Sequence, residues 1–190
     1  MRIAILGWGS LLWEGGPAFD RWHEPWEFDG PTLILEFSRI SASRSGALTL
    51  VVDEEHGTRT RVAWCLSKRA TIDDAVCDLR CREGTTLENV ARIDVPAQAA
   101  VPEGSEPRNP VVAWARSRRI DSIDWTALKS NFLAKRKQPF SVAAAISYLE
   151  TLEPAGKARA AEYIWRAPAF VKTDLRSALQ REPWFSEEGC

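Results

Sequence analysis

The most informative run in the chain is Leu6-Gly7-Trp8-Gly9-Ser10-Leu11-Leu12-Trp13, where two glycines directly follow the strand-like Arg2–Leu6. Glycines there let the backbone turn tightly and aim several N–H groups at one point, a concavity that binds anions. Familiar phosphate and nucleophile motifs fail on spacing. A dinucleotide fingerprint needs Gly at Leu12, a P-loop needs Gly-Lys-Ser/Thr, and a nucleophile elbow at Ser10 needs Gly at Trp8 and Leu12. The plain alternative is a turn that only ends a strand.

A second feature is Glu83, in Leu79-Arg80-Cys81-Arg82-Glu83-Gly84, which falls in the last turn of an expected helix. The negative end of the helix dipole disfavours a carboxylate there by roughly 0.3–1 kcal/mol when exposed. The same field favours the protonated acid, which suits a group that accepts and then donates a proton. The alternative is a solvated Glu83 paired with Arg80 or Arg82.

Other constellations point less far. Cys77 and Cys81 stand at i and i+4 on one helix face, as two metal ligands could, yet His23 and His56 lie in loop-like segments without ligand spacing. No metal site is expected, and no context marks a Cys/His nucleophile pair. The basic runs Arg116-Ser117-Arg118-Arg119 and Lys135-Arg136-Lys137 read as solvated helix ends. Trp13, Trp22 and Trp26 read mainly as core aromatics, with a pocket wall or an interface as the alternative.

The elements that must position these residues belong to a chain of 190 residues, 45% hydrophobic and 27% charged, enough to bury a core. That composition excludes a disordered, collagenous or disulfide-scaffold protein. Lys and Arg total 25 against 26 Asp and Glu, so no strongly basic face exists for non-specific nucleic-acid binding. Residues Met1 to Leu6 resemble the start of a signal peptide, but Gly7, Gly9 and Ser10 interrupt the apolar run and no small-residue cleavage site follows; no later stretch approaches 18 apolar residues. Cys65, Cys77, Cys81 and Cys190 form no CxxC pair. The expectation is a cytoplasmic protein without a nucleic-acid or membrane partner.

Strand-like runs cover Arg2–Leu6, Thr32–Ile40, Ala47–Asp53, Thr60–Ser67 and Arg92–Val95, and Pro110–Arg116 reads as one more. A helix starts behind Thr71, whose spacing to Asp74 resembles a capping box, and stops at Gly84. A loop runs from Ala97 to Pro110, with Pro102, Gly104 and Pro107 within it. Helices follow over Trp125–Lys135, Val142–Leu152 behind a Ser141 cap, Ala155–Ala167 and Asp174–Arg181. The class is α+β: a small mixed barrel of about five to six strands over residues 1–116, and a helical extension over 117–190 packed on the same domain. Packing or a homodimer contact is the role open to that extension.

Leu-Gly-Trp-Gly-Ser-Leu-Leu-Trp resembles the Gly-Tyr-Gly-Ser-Leu signature of the γ-glutamylcyclotransferase-like superfamily, in particular its ChaC-type members. Phe37-Ser38-Arg39-Ile40 with Arg44 is similar to the family's arginine-bearing strand. Arg82-Glu83 stands in the place of its catalytic glutamate. The resemblance covers about residues 1–115, with Trp8 where the signature has tyrosine.

The resemblance implies that the free amine of a γ-glutamyl compound attacks its own γ-carbonyl, releasing 5-oxoproline and an amine, peptide or amino acid, with no cofactor. It makes Glu83 the proton shuttle. It gives substrate binding to Gly7, Trp8, Gly9, Ser10 and Leu11 and electrostatic assistance to Arg39 or Arg44. Glu83 and the turn should then open onto one cavity. The other reading is a catalytically silent binding or interaction protein that keeps the fold.

Overall fold

The computed structural model describes residues 1–103 and 108–185; Gly104 and Pro107 of the expected loop, and Cys190, lie outside them. In chain order the elements are β1 (Ile3–Gly7), α1 (Pro17–Asp20), β2 (Thr32–Ile40), β3 (Leu48–Val52), β4 (Thr58–Arg61), β5 (Ala63–Leu66), α2 (Ile72–Glu83), β6 (Val90–Asp94), β7 (Ala99–Val101), α3 (Arg108–Arg118), β8 (Ser122–Thr126), α4 (Phe132–Arg136), α5 (Val142–Glu150), α6 (Pro154–Arg166) and α7 (Asp174–Leu179). The fold is α+β. Its strands form one five-stranded and one three-stranded sheet, and neither closes, so the expected barrel is corrected to two open sheets.

Two compact units divide the chain, each assembled from separated segments: Met1–Leu33 with Arg61–Leu128, and Ile34–Thr60 with the described residues from Lys129 onward. Strand β8 lies beyond residue 117 and pairs in parallel with β1, Ile3 opposite Ser122 and Ile5 opposite Asp124.

In the first unit the sheet order is β5-β1-β8-β6-β7. β1 is buried at every position, as expected of a strand with neighbours on both edges and cover on both faces. α2 packs against β8, β6 and β1. Its Val76 and Leu79 join Ile5, Phe19, Cys65 and Val90 in one apolar cluster, against which Leu11, Trp26 and Ile72 are half-buried.

Two expectations in this unit are overturned. Pro110–Arg116 is not a strand but part of α3. Pro110 falls in the first helical turn, where its missing N–H costs nothing, and Val111, Val112 and Ala115 line the buried face at helical spacing. The start of the expected helix Trp125–Lys135 is instead β8, buried from Ser122 to Trp125; only Phe132–Arg136 is helical.

The second unit carries most of the β3-β2-β4 sheet. Helix α6 packs on β3, and α5 packs on α6 and α7. The Ser141 hydroxyl accepts from Ala144 N–H at 3.1 Å and starts α5 where the sequence places it. The Tyr148 hydroxyl donates to the Gly46 carbonyl at 2.7 Å. Among the described residues no helix is long and apolar enough to cross a membrane.

Candidate functional site

The α2 helix sets one side of the site. Thr71 Oγ1 accepts from Asp74 N–H at 3.2 Å, and Gly84 ends the helix in the left-handed region at φ 58°, donating to the Cys81 carbonyl. Between those stops the buried positions Ala75, Val76 and Leu79 continue at i+3 and i+4 to Arg82 and Glu83. The last turn therefore carries these two charged side chains on the face that packs toward the sheet. Their side chains are only 14% and 19% exposed.

The Gly-Trp-Gly-Ser turn sets the other side. Leu12 N–H donates to the Gly9 carbonyl at 2.9 Å and Glu14 N–H to the Ser10 carbonyl at 2.8 Å, closing a single 3-10 turn over Ser10–Leu12. Among the described residues, the N–H groups of Gly9, Ser10 and Leu11 make no backbone hydrogen bond. Backbone N–H groups of this kind can donate to an acceptor that reaches them. Gly7 is required by close approach, because a Cβ there would stand 2.9 Å from the Trp26 ring. Trp8 is 6% exposed and belongs to the core.

Arg82 joins the two sides. Its Nη2 donates to the Ser10 carbonyl at 3.4 Å and also to the Glu14 carbonyl, while Nη1 lies 3.7 Å from Glu83 Oε1. The stem passes Gly16 so closely that a Cβ on that residue would be 2.9 Å from Arg82 Cδ. Arg82 is thus the ion-pair partner of Glu83, whereas Arg80 Nη2 approaches the sulfurs of Cys77 and Cys81 at 3.9 and 3.4 Å. The sequence offered Arg82 as one of two partners; helical spacing from the buried Leu79 is the signal that selects it.

Next to this junction lies a cleft of about 230 Å³, lined by Gly16, Pro17, Ala18, Phe19, Asp78, Cys81 and Arg82. Neither Glu83 nor residues 7–11 line that cleft, although Arg82 touches both sides of the site and walls it. The short α1 that supplies its other wall was missed in the sequence, where Gly16-Pro17 followed by a four-residue helix gives too little periodicity to read.

Arg39 and Arg44 belong to the second unit. Arg39 donates to the Lys129 carbonyl at 2.8 Å, and the Arg44 guanidinium lies 4.9 Å from the Tyr163 ring centre. Trp22 stacks under Arg69 at 3.6 Å, and Arg69 makes two hydrogen bonds, 2.6 and 2.8 Å, to the Asp78 carboxylate. His23 stands 3.6 Å from Asp20. No group of three or more His, Cys, Asp or Glu among the described residues could hold a metal ion.

Two buried acids escaped the sequence reading. Both carboxylate oxygens of Asp124, on β8, are buried without a hydrogen-bond partner, and burial raises this group well above the usual carboxylate range. Glu36, on β2 in the second unit, accepts from Phe37 N–H at 2.7 Å and Leu175 N–H at 3.3 Å; burial raises it to about 7. No protein-family model, curated protein or solved structure matches the chain.

Proposed function

We propose that the protein is a γ-glutamyl cyclotransferase-like enzyme that closes the γ-glutamyl group of a small amine or peptide to 5-oxoproline. The observation that carries this reading is the Arg82 bridge, which places a carboxylate, Glu83, and an N–H-rich turn on the same guanidinium. It adds to the resemblance of residues 6–13 and 82–83 to the γ-glutamylcyclotransferase-like signature.

In this mechanism the N–H groups of Gly9, Ser10 and Leu11 hold the substrate's α-carboxylate. Glu83 takes a proton from the neighbouring α-ammonium group. The freed amine attacks the γ-carbonyl, forming the ring C–N bond, and the bond to the leaving amine breaks as Glu83 returns the proton to that nitrogen. No redox step or added water is needed. Arg82 pairs with Glu83 at 3.7 Å, which orients the carboxylate, and holds the turn through the Ser10 and Glu14 carbonyls. Fixing the folded-back substrate supplies much of the acceleration, since oriented intramolecular reactions gain about 7–11 kcal/mol.

The test is 5-oxoproline release from a panel of γ-glutamyl amines, dipeptides and glutathione. Glu83→Gln should lower turnover about 10²–10⁴-fold with little change in substrate binding. Replacing Glu88, exposed beyond Gly84, should change little. Full activity in Glu83→Gln would assign the chemistry to another residue. Absence of release from every compound by the wild type would favour a silent binding protein.

A further inference from the structure

Cys77 and Cys81 are both exposed on α2, one helical turn apart, and take no part in the cyclisation. Their sulfurs converge on one point. Arg80 Nη2 lies 3.9 Å from the Cys77 sulfur and 3.4 Å from that of Cys81, so both thiols face a single cationic atom. That nitrogen marks where a small cation would meet both sulfurs at once.

Helix geometry decides what the pair can hold. Residues at i and i+4 keep their Cβ atoms about 5–6 Å apart, whereas a disulfide brings them to about 3.5–4.5 Å. A direct S–S bond would therefore distort α2. A single metal ion between the sulfurs fits the spacing, because two bonds of about 2.3 Å span up to about 4.6 Å, which side-chain rotation reaches from those Cβ positions.

The surroundings select the kind of ion. Zinc in structural sites takes four ligands, and hard cations take several oxygens. Among the described residues no group of three or more His, Cys, Asp or Glu could hold a metal ion, so the two cysteines stand without a third ligand of these types. The carboxylates of the same helix at positions 74 and 78 are engaged: Asp74 accepts from the Thr71 hydroxyl at 2.7 Å, and Asp78 from Arg69 at 2.6 and 2.8 Å. Two soft thiolates without an oxygen donor suit a soft monovalent ion such as Cu(I). Two thiolates and one Cu(I) leave a single negative charge, which the Arg80 guanidinium beside them offsets.

We propose that Cys77 and Cys81 form a two-coordinate Cu(I) site on the exposed side of α2. Each thiol gives its proton to solvent; two S–H bonds break, two Cu–S bonds form, and the ion displaces the Arg80 N–H from between the sulfurs. No electron is transferred, so copper enters and leaves as Cu(I). Neither cysteine belongs to the cyclisation machinery, so the site stands or falls apart from that reading.

The experiment titrates the full chain, reduced, desalted and kept under argon, against Cu(I) held by bathocuproine disulfonate, and follows the colour of the chelator complex. One Cu(I) per chain should pass to the wild type. Cys77→Ser and Cys81→Ser should each bind at least about 100-fold more weakly, since losing either sulfur removes the chelate. Both positions are exposed, so the two variants should keep the wild-type urea midpoint, and a lost signal then reads as lost ligation. Cys190→Ser should bind as the wild type does. Zn(II), titrated against a coloured zinc chelator, should bind the wild type no more tightly than it binds Cys77→Ser.

Wild-type Cu(I) affinity in either single variant would overturn the proposal, as would weaker binding in Cys190→Ser or a zinc affinity that depends on Cys77. Size exclusion of the loaded protein supplies the remaining check. One Cu(I) per two chains, with a shift to dimer on loading, would show a bridge between chains instead of a site within one helix.

Discussion

Arg82 and Glu83 are sequence neighbours whose side chains meet at 3.7 Å, and the same guanidinium crosses to the Ser10 carbonyl, 72 positions earlier in the chain. A long-range contact and a local ion pair thus share one side chain. Losing it removes a stabilising clamp and a carboxylate's partner together.

Arg82→Lys tests that double role. Lysine keeps the charge but offers one compact ammonium in place of a planar fork, so it cannot hold Ser10, Glu14 and Glu83 at once. The expected cost is about 2 kcal/mol of stability from the lost charged hydrogen bonds, read as a lower urea midpoint. An unchanged midpoint would mean that the contacts to Ser10 and Glu14 contribute nothing.

Gly16 and Gly84 should separate positioning from stability. Alanine at 16 meets the Arg82 stem at 2.9 Å and must push it aside, so Gly16→Ala should impair 5-oxoproline release more than it lowers the melting temperature. Gly84 has nothing within 4 Å of an added Cβ but sits at φ 58°. Gly84→Ala should therefore cost about 1 kcal/mol through backbone strain alone. Comparing each variant's activity with its unfolding curve decides the matter, and a Gly16 variant with native activity would refute the positioning role.

Local chemistry made α2 readable, and distant pairing hid the rest. Thr71, Asp74 and Gly84 mark the helix ends with their own hydrogen bonds and backbone angle, so the sequence places them well. β8 carries no such mark. Its Asp124 is a residue that strands usually avoid, and what makes Ser122–Thr126 a strand is the edge that β1 and β6 offer it. Pro110 likewise reads as a breaker until its place in the first turn of α3 is known. In the candidate site, the glycine turn and Glu83 were legible as residue types. The bridge by Arg82 was not, because it depends on the path of that side chain past Gly16.

Asp124 should give a pH signature of its own. Burial without a partner holds its carboxyl well above the usual range, so the folded state keeps a proton that the unfolded chain loses near pH 4. Its contribution is complete below the unfolded pKa and declines as pH rises toward the folded value. Asp124→Asn, neutral throughout, should remove that decline and be more stable than the wild type at pH 8. Urea unfolding of both proteins across pH 4–8 checks this; a variant less stable than the wild type at pH 8 contradicts it.

Glu36 provides the last prediction, in the second unit. Burial is the main cause that raises its carboxyl to about 7; the Asp174 charge adds to it, and hydrogen bonds from Thr173, Phe37 and Leu175 pull the other way. The folded pKa thus exceeds the unfolded value near 4.3. Stability from this group is full below that value, falls as pH rises through the interval, and levels off above about 7. The whole change amounts to about 4 kcal/mol. Glu36→Gln retains an amide oxygen for the Phe37 N–H but cannot ionise, so its stability should lack this part of the pH dependence. Urea midpoints at intervals from pH 5 to 8 measure the difference. Wild-type and variant profiles that run parallel across that range would show that Glu36 is already ionised in the fold, and that its contacts with Phe37 and Leu175 hold a carboxylate rather than an acid.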